Sequence, residues 1–301
     1  MSDDGNTKTK ASMFRSLKIR NYRLYAIGSI TSNTGTWMQR IAQDWLVLKL
    51  TGNDPIALGA VTFLQFSPTL IIGMVGGVIA DRYDKRTILR CTQSAAAVCA
   101  LALGILDIAN IIAIWQVYLL ALALGVTTAI EAPSRQAFAS ELVGHKDLLN
   151  AVALNSASFN AARLIGPALA GLLIGWINTG PVFLINAASS VWIIVLLTMI
   201  DPTKLFRAEP LRRQRGQVRD AVRYVRARPN ILLTIMLVSI VSLFGLNLQV
   251  IIPLVSTRVF HQGATQYGLL ASALALGTLA GALTGAGRAR QPRLRQLVIY
   301  A

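Results

Sequence analysis

The chain has 301 residues, 54% of them hydrophobic and only 14% charged, with 29 Lys and Arg against 13 Asp and Glu and a net charge of +16. A water-soluble domain carries about a quarter charged residues, so a chain with mean hydropathy +0.54 has too little polar surface to face water, and lipid is its solvent. The positive excess invites a nucleic-acid reading, which the distribution of that charge excludes.

Residues 1–22 are polar and basic, without the short apolar core and cleavage site of a removable signal peptide. They read as a tail ending in an amphipathic stretch, 13–20, at the membrane surface. Eight apolar runs follow, at 23–50, 56–80, 87–107, 111–138, 148–176, 180–200, 230–257 and 266–286. About 20 helical residues cross the hydrocarbon. Lipid demands internally satisfied backbone groups, so these Ala-, Gly- and Leu-rich runs predict helices and an all-α polytopic transmembrane fold. The segment 201–229 is the longest break. Its 217–228 part predicts a basic amphipathic helix lying along anionic headgroups, with Val218, Ala221, Val222 and Val225 on one face. The last six residues, 296–301, read as the opening of a ninth span, which points to a truncated chain. The predicted organisation is a tail (1–22), a six-helix bundle (23–200), a linker (201–229) and a partial second bundle (230–301).

The breaks alternate in charge. Of the 29 Lys and Arg, 25 fall in the tail (counting Arg23) and in segments 81–90, 135–147, 201–228 and 288–295. The intervening breaks hold only Lys49 and Arg258, and Arg40 and Arg163 lie inside spans. Such asymmetry is the positive-inside signal, so the expected protein is multi-pass in the plasma or inner membrane with its N-terminus cytoplasmic. Charge scattered over every second loop lines no groove for nucleic acid.

Cys91 and Cys99, eight apart in one apolar run, form neither a CxxC site nor a disulfide framework and read as small packing residues. His145 and His261 fall in predicted loops, so no metal site and no cofactor is expected.

The strongest local signal lies between the second and third spans: Gly77-Val78-Ile79-Ala80-Asp81-Arg82-Tyr83-Asp84-Lys85-Arg86. Gly77 suits a close helix approach. Asp81 is expected to accept hydrogen bonds at the next helix's N-terminus, with Arg82, Lys85 and Arg86 facing headgroups or carboxylates. This loop resembles the signature of the major facilitator superfamily, G-x-x-x-D-R-x-G-R/K-R/K, at Gly77, Asp81, Arg82, Lys85 and Arg86, and departs from it at Asp84. Glu131-Ala132-Pro133-Ser134-Arg135-Gln136-Ala137-Phe138, Asn150-Ala151-Val152-Ala153-Leu154-Asn155 and Arg163-Leu164-Ile165-Gly166-Pro167-Ala168-Leu169-Ala170-Gly171 are similar to the drug- and siderophore-exporting branch that includes enterobactin exporters. The resemblance implies two six-helix halves, here the first half plus the first two helices of the second. It also implies alternating access about a central substrate site.

In the fifth span, Pro167 removes a backbone donor, while Gly166, Gly171 and Gly175 admit a neighbouring helix. Gly166, Pro167 and Gly171 are therefore a candidate hinge. Charges inside spans are rare, because inserting one costs at least about 2.5–3.5 kcal/mol. Arg40 and Asp44 are four apart and predict a pair. Glu131 and Arg135 have the same spacing and are expected to reach the 81–86 loop. With Arg163 these form a candidate proton relay, Asp44 or Glu131 exchanging the proton and Arg40 or Arg163 tuning it. Gln39 and Gln43 add a polar stripe to the first span, and Asn33, Gln39, Gln65, Asn155 and Asn160 are candidate cavity residues. Residues 266–288 echo the second span and its loop, with Gly268, Gly277, Gly281 and Gly285 but no Asp-Arg pair.

These features predict a secondary transporter exporting a small amphipathic molecule in exchange for protons. A membrane-embedded enzyme lacks any nucleophile–base or metal constellation here, and no GxxxxGK[ST] phosphate loop is present for a pump. A non-transporting relic or regulatory subunit is the alternative.

Overall fold

The structure is a computed structural model that describes residues 15–206, 223–229, 231–234, 236, 237 and 248–287. Its long elements are helices: α1 (Arg20–Thr51), α2 (Pro55–Arg82), α3 (Lys85–Ile108), α4 (Ile114–Gly144), α5 (Asp147–Ile177), α6 (Thr179–Thr198), α7 (Leu248–Leu254, continued by a π-helical turn over Val255–Val259) and α8 (Ala264–Gly287). No strand occurs among the described residues. The helices α2 to α6 are each long and apolar enough to cross a membrane. Helix α1 is longer still, at 32 residues, but carries Arg40 and Asp44 along its length. The predicted seventh span and the linker lie partly outside the described residues. Of the linker helix expected over 217–228, residues 223–226 are helical.

Local chemistry sets the boundaries. Asp54 caps α2 by accepting from Ile56 N–H at 2.9 Å, with Pro55 at the first helical position. Asp84 caps α3, its Oδ2 accepting from the Thr87 N–H and hydroxyl at 2.9 Å each. Chain 114–177 is hydrogen-bonded almost without interruption and broken only at Gly144, whose φ of 69° and ψ of −179° lie in a region that strongly favours glycine. The break lets α4 and α5 turn away from each other at a connection with no room for a loop.

The helix faces sort by depth. One apolar cluster joins Met38, Ile41 and Leu46 of α1 to Leu58, Leu103, Val117, Phe183 and Ile174, and reaches Tyr267 of α8. A second joins Tyr22 and Tyr25 to Leu89, Phe138, Leu142, Ile193 and Leu197. Between the two, α1, α3, α4 and α6 each present polar side chains: Ser32 with Gln93, Gln93 with Glu131, and Gln39 with Asn186. Two apolar ends with a polar middle layer concentrate hydrogen-bonding groups at mid-depth, where unpaired ones are most costly.

Close approach is bought with small residues. A Cβ at Gly76 would fall on the Ala129 carbonyl of α4, whereas at Gly77 it meets nothing. The close contact expected at Gly77 is therefore one residue earlier, because Gly77 faces away from α4. The stretch 13–20 has described residues from Arg15 onward. Its described part forms a short 3-10 turn, Arg15–Lys18, docked on the start of α5. Ser16 is fully buried and its N–H donates to Asn150 Oδ1 at 3.0 Å, while Arg15 pairs with Asp147 at 2.8 Å.

Candidate functional site

A cavity of about 480 Å³ opens in the polar layer. All five side chains proposed for it from sequence, Asn33, Gln39, Gln65, Asn155 and Asn160, line it, as do Arg40, Glu131 and Arg135. Its wall draws on α1 to α6. Helix α1 contributes a stripe at helical spacing, Asn33, Thr36, Gln39, Arg40 and Gln43.

Glu131 is held on one side by Arg135, four residues on along α4, and on the other by Gln93 Nε2 at 2.7 Å. The Arg135 guanidinium also donates to Ser29 Oγ and Ser32 Oγ of α1, at 3.4 and 3.3 Å. This network points into the bundle and does not reach the 81–86 loop as expected. Glu141, ten residues beyond Glu131 on α4, meets that loop instead, pairing with Lys85 at 2.9 Å with both side chains largely buried. Gln93, Asn186 and Glu141 were not singled out from sequence, although each is a polar residue interrupting or ending an apolar run.

The 81–86 loop is a tether. Arg86 donates to the Leu197 and Thr198 carbonyls at 2.7 Å each, satisfying the C-terminal end of α6. Asp81 and Arg82 are exposed in the last turn of α2, and the capping role expected of Asp81 belongs to Asp84. The departure from the superfamily signature thus supplies the helix cap itself.

Arg40 and Asp44 share a face of α1 but form no contact ion pair. Asp44 Oδ2 accepts from the Tyr267 hydroxyl of α8 at 2.9 Å. The Arg40 guanidinium lies over Trp37 at 4.7 Å from the ring centre and beside Phe66 at 5.3 Å, and Arg163 lies 5.6 Å from the same Trp37 ring. These residues border a recess of about 60 Å³ that shares Arg40 and Gln65 with the larger cavity. Gln43 is fully buried and neither atom of its amide has a hydrogen-bond partner among the described residues. Leaving such a group unpaired costs about 1–3 kcal/mol.

At the candidate hinge, α5 keeps helical geometry through Pro167, so the break in the 114–177 stretch is at Gly144 and not at the proline. In this conformation Gly166, Pro167 and Gly171 form a packing seam. A Cβ at Gly166 would lie 2.6 Å from Trp37 Cβ, and one at Gly171 would lie 2.8 Å from the Ala264 carbonyl and 3.0 Å from Gly268 Cα. Two hydroxyls of α8 complete the seam, Thr265 donating to the Gly171 carbonyl at 3.1 Å and Ser272 to that of Leu164 at 2.8 Å. A Cβ added at Gly277 or Gly281 of α8 would meet nothing within 4 Å among the described residues. No cluster of His, Cys, Asp or Glu able to hold a metal occurs among the described residues.

A family model described as transmembrane secretion effector, within the major facilitator superfamily, matches residues 11–300. The chain belongs to this family. This major-facilitator chain is 33% identical over 154 residues to the staphyloferrin A transporter of Staphylococcus aureus (strain NCTC 8325 / PS 47), covering 51% of this chain and 38% of that one. It is 26% identical over 235 residues to the enterobactin exporter EntS of Citrobacter koseri, covering 76% and 54%. It is 24% identical over 221 residues to the MFS-type transporter YfiS of Bacillus subtilis, covering 72% and 52%. The chain spans about half the length of these curated relatives. Its fold matches the crystal structure of a bacterial homologue of the human lysosomal transporter Spinster, in an inward-facing, unoccupied conformation, with a TM-score of 0.65 at 15% identity over 94% of this chain and 65% of that one. The family is one of membrane transporters, not of enzymes.

Proposed function

We propose that the protein is a proton-coupled exporter of a small amphipathic molecule, siderophore- or drug-like, working by alternating access in the cell membrane with its N-terminus cytoplasmic. The observation that carries this reading is the 480 Å³ cavity at mid-depth, lined by polar side chains and by the intramembrane charges Arg40, Glu131 and Arg135. In a bilayer such a cavity is costly to keep without a polar occupant. The names of the similar staphyloferrin A and enterobactin proteins favour a siderophore-like cargo.

On this reading the six-helix bundle of residues 23–200 is the first half, 201–229 the cytoplasmic connection and 230–301 the start of the second half. The basic loops face the cytoplasm, and the seam of α8 against α1 and α5 then closes the outer end of the cavity. Small residues and three hydrogen bonds make up that seam, so it can part without exposing a large apolar face. Asp44 and Glu131 are the carboxylates available to exchange a proton, with Tyr267 a partner that Asp44 can lose or keep as the seam opens.

The test is efflux of a fluorescent amphiphile from proteoliposomes carrying the full chain under an imposed pH gradient. Gradient-driven flux that falls at least tenfold in Asp44→Asn or Glu131→Gln is the expected result. Undiminished pH dependence in the double variant overturns the proton assignment. No flux in the wild type leaves a non-transporting membrane subunit.

A further inference from the structure

We propose that the Arg40 and Arg163 guanidiniums, braced on the Trp37 ring in the recess off the cavity, bind an anionic group of the transported molecule, a carboxylate or another oxyanion. This rests on reading the cavity as the site of a transported molecule, and it goes further by fixing the charge of that molecule. Four observations point the same way.

The first is the charge pattern. The carboxylates bordering cavity and recess are Glu131 and Asp44. Glu131 is already held by Arg135 and Gln93, and Asp44 accepts from Tyr267. Among the described residues neither Arg40 nor Arg163 has a carboxylate at ion-pair distance or a hydrogen-bond acceptor. Two guanidiniums facing one partly engaged carboxylate leave the recess net positive, inside a membrane where charge is normally matched.

The second is geometry. Arg40 and Arg163 come from different helices, α1 and α5, and both lie near the Trp37 ring, at 4.7 and 5.6 Å. The ring holds the two planar forks in place while leaving their N–H groups for a ligand, and a guanidinium fork matches an oxyanion.

The third is size. The recess, at about 60 Å³, admits a group of a few heavy atoms, and the adjoining 480 Å³ cavity admits a larger body. An amphipathic anion fits this division, with its charged group in the recess and its body in the cavity. The fourth is Gln43, one turn beyond Gln39 on α1, whose buried amide has an unused donor and acceptor at the cavity wall.

The experiment uses three probes with the same dansyl body: dansylglycine (anionic), dansylglycinamide (neutral) and dansylethylenediamine (cationic). Each is titrated into the full chain in detergent, with binding read as energy transfer from tryptophan. Dansylglycine is expected to bind at least tenfold more tightly than the neutral probe, and the cationic probe most weakly. Arg40→Gln and Arg163→Gln should each abolish the preference for the anion while leaving the affinity for the neutral probe unchanged, which serves as the control for folding. Equal, saturable binding of all three probes to the wild type overturns the anion site and leaves the cavity reading intact. A preference that survives both Gln substitutions overturns its assignment to this pair. If no probe binds saturably, the cavity reading fails and the anion site fails with it.

Discussion

Tyr267 donates its hydroxyl hydrogen to Asp44 Oδ2 across 2.9 Å, joining α1 to α8 over a separation of 223 residues. Tyr267 is buried and Asp44 half-buried in the seam between the first six helices and α8. Removing the donor by Tyr267→Phe should destabilise the purified protein by about 1–2 kcal/mol, read as an earlier thermal unfolding transition. Asp44→Asn keeps an acceptor for the same hydroxyl and should cost less. An equal loss in the two variants would place the contribution in the carboxylate's charge and not in the bond.

Gly76 and Gly77 offer a sharper contrast. A Cβ at Gly76 collides with the Ala129 carbonyl, and at Gly77 it enters open space. Gly76→Ala should lower stability by about 1–3 kcal/mol, because backbone on α4 must move. Gly77→Ala should change it little or improve it slightly, since alanine is the better helix former. Detergent-solubilised thermal stability of the two variants checks the order, and the reverse order would contradict the packing described.

The Lys85–Glu141 pair is shielded from water, with side-chain exposures of 15% and 5%. Breaking it from one side leaves an uncompensated buried charge, so Lys85→Met and Glu141→Gln should cost about 3–5 kcal/mol and about 1–3 kcal/mol respectively. The exchange Lys85→Glu with Glu141→Lys should recover part of the loss. A double-mutant cycle measures the coupling, and additive losses would show that the pair contributes nothing jointly.

Gly144 takes a left-handed φ of 69°, and a Cβ there would lie 3.2 Å from the Phe206 ring. Gly144→Ala therefore meets backbone strain and a steric neighbour together, and should cost about 1–3 kcal/mol. Because the turn orients α5 against α4, the same variant should lose more stability than Gly263→Ala, whose Cβ would make an ordinary contact at 3.5 Å. Comparing their unfolding temperatures tests this.

The amino-acid sequence alone determined the solvent, the helices and the family. Apolar runs of membrane length leave helices as the main option in lipid, and the predicted spans 56–80, 87–107 and 180–200 lie within or close to Pro55–Arg82, Lys85–Ile108 and Thr179–Thr198. The i,i+4 spacing of Glu131 and Arg135 sufficed for their pairing, because one helix brings both residues together. The same spacing misled at Arg40 and Asp44. There the other partners win: Tyr267 of α8 takes the carboxylate, while Trp37, one turn back on α1, and Phe66 of α2 take the guanidinium. Asn33, Gln39, Gln65, Asn155 and Asn160 were legible as polar residues in apolar runs, but their convergence on one cavity depends on the rotation of each helix about its axis, which periodicity does not fix. Helix register likewise decided that Gly76 and not Gly77 meets α4, and that Glu141 and not Glu131 reaches Lys85. Sequence determines what each helix carries, and only the packing of helices against one another decides which of those groups meet.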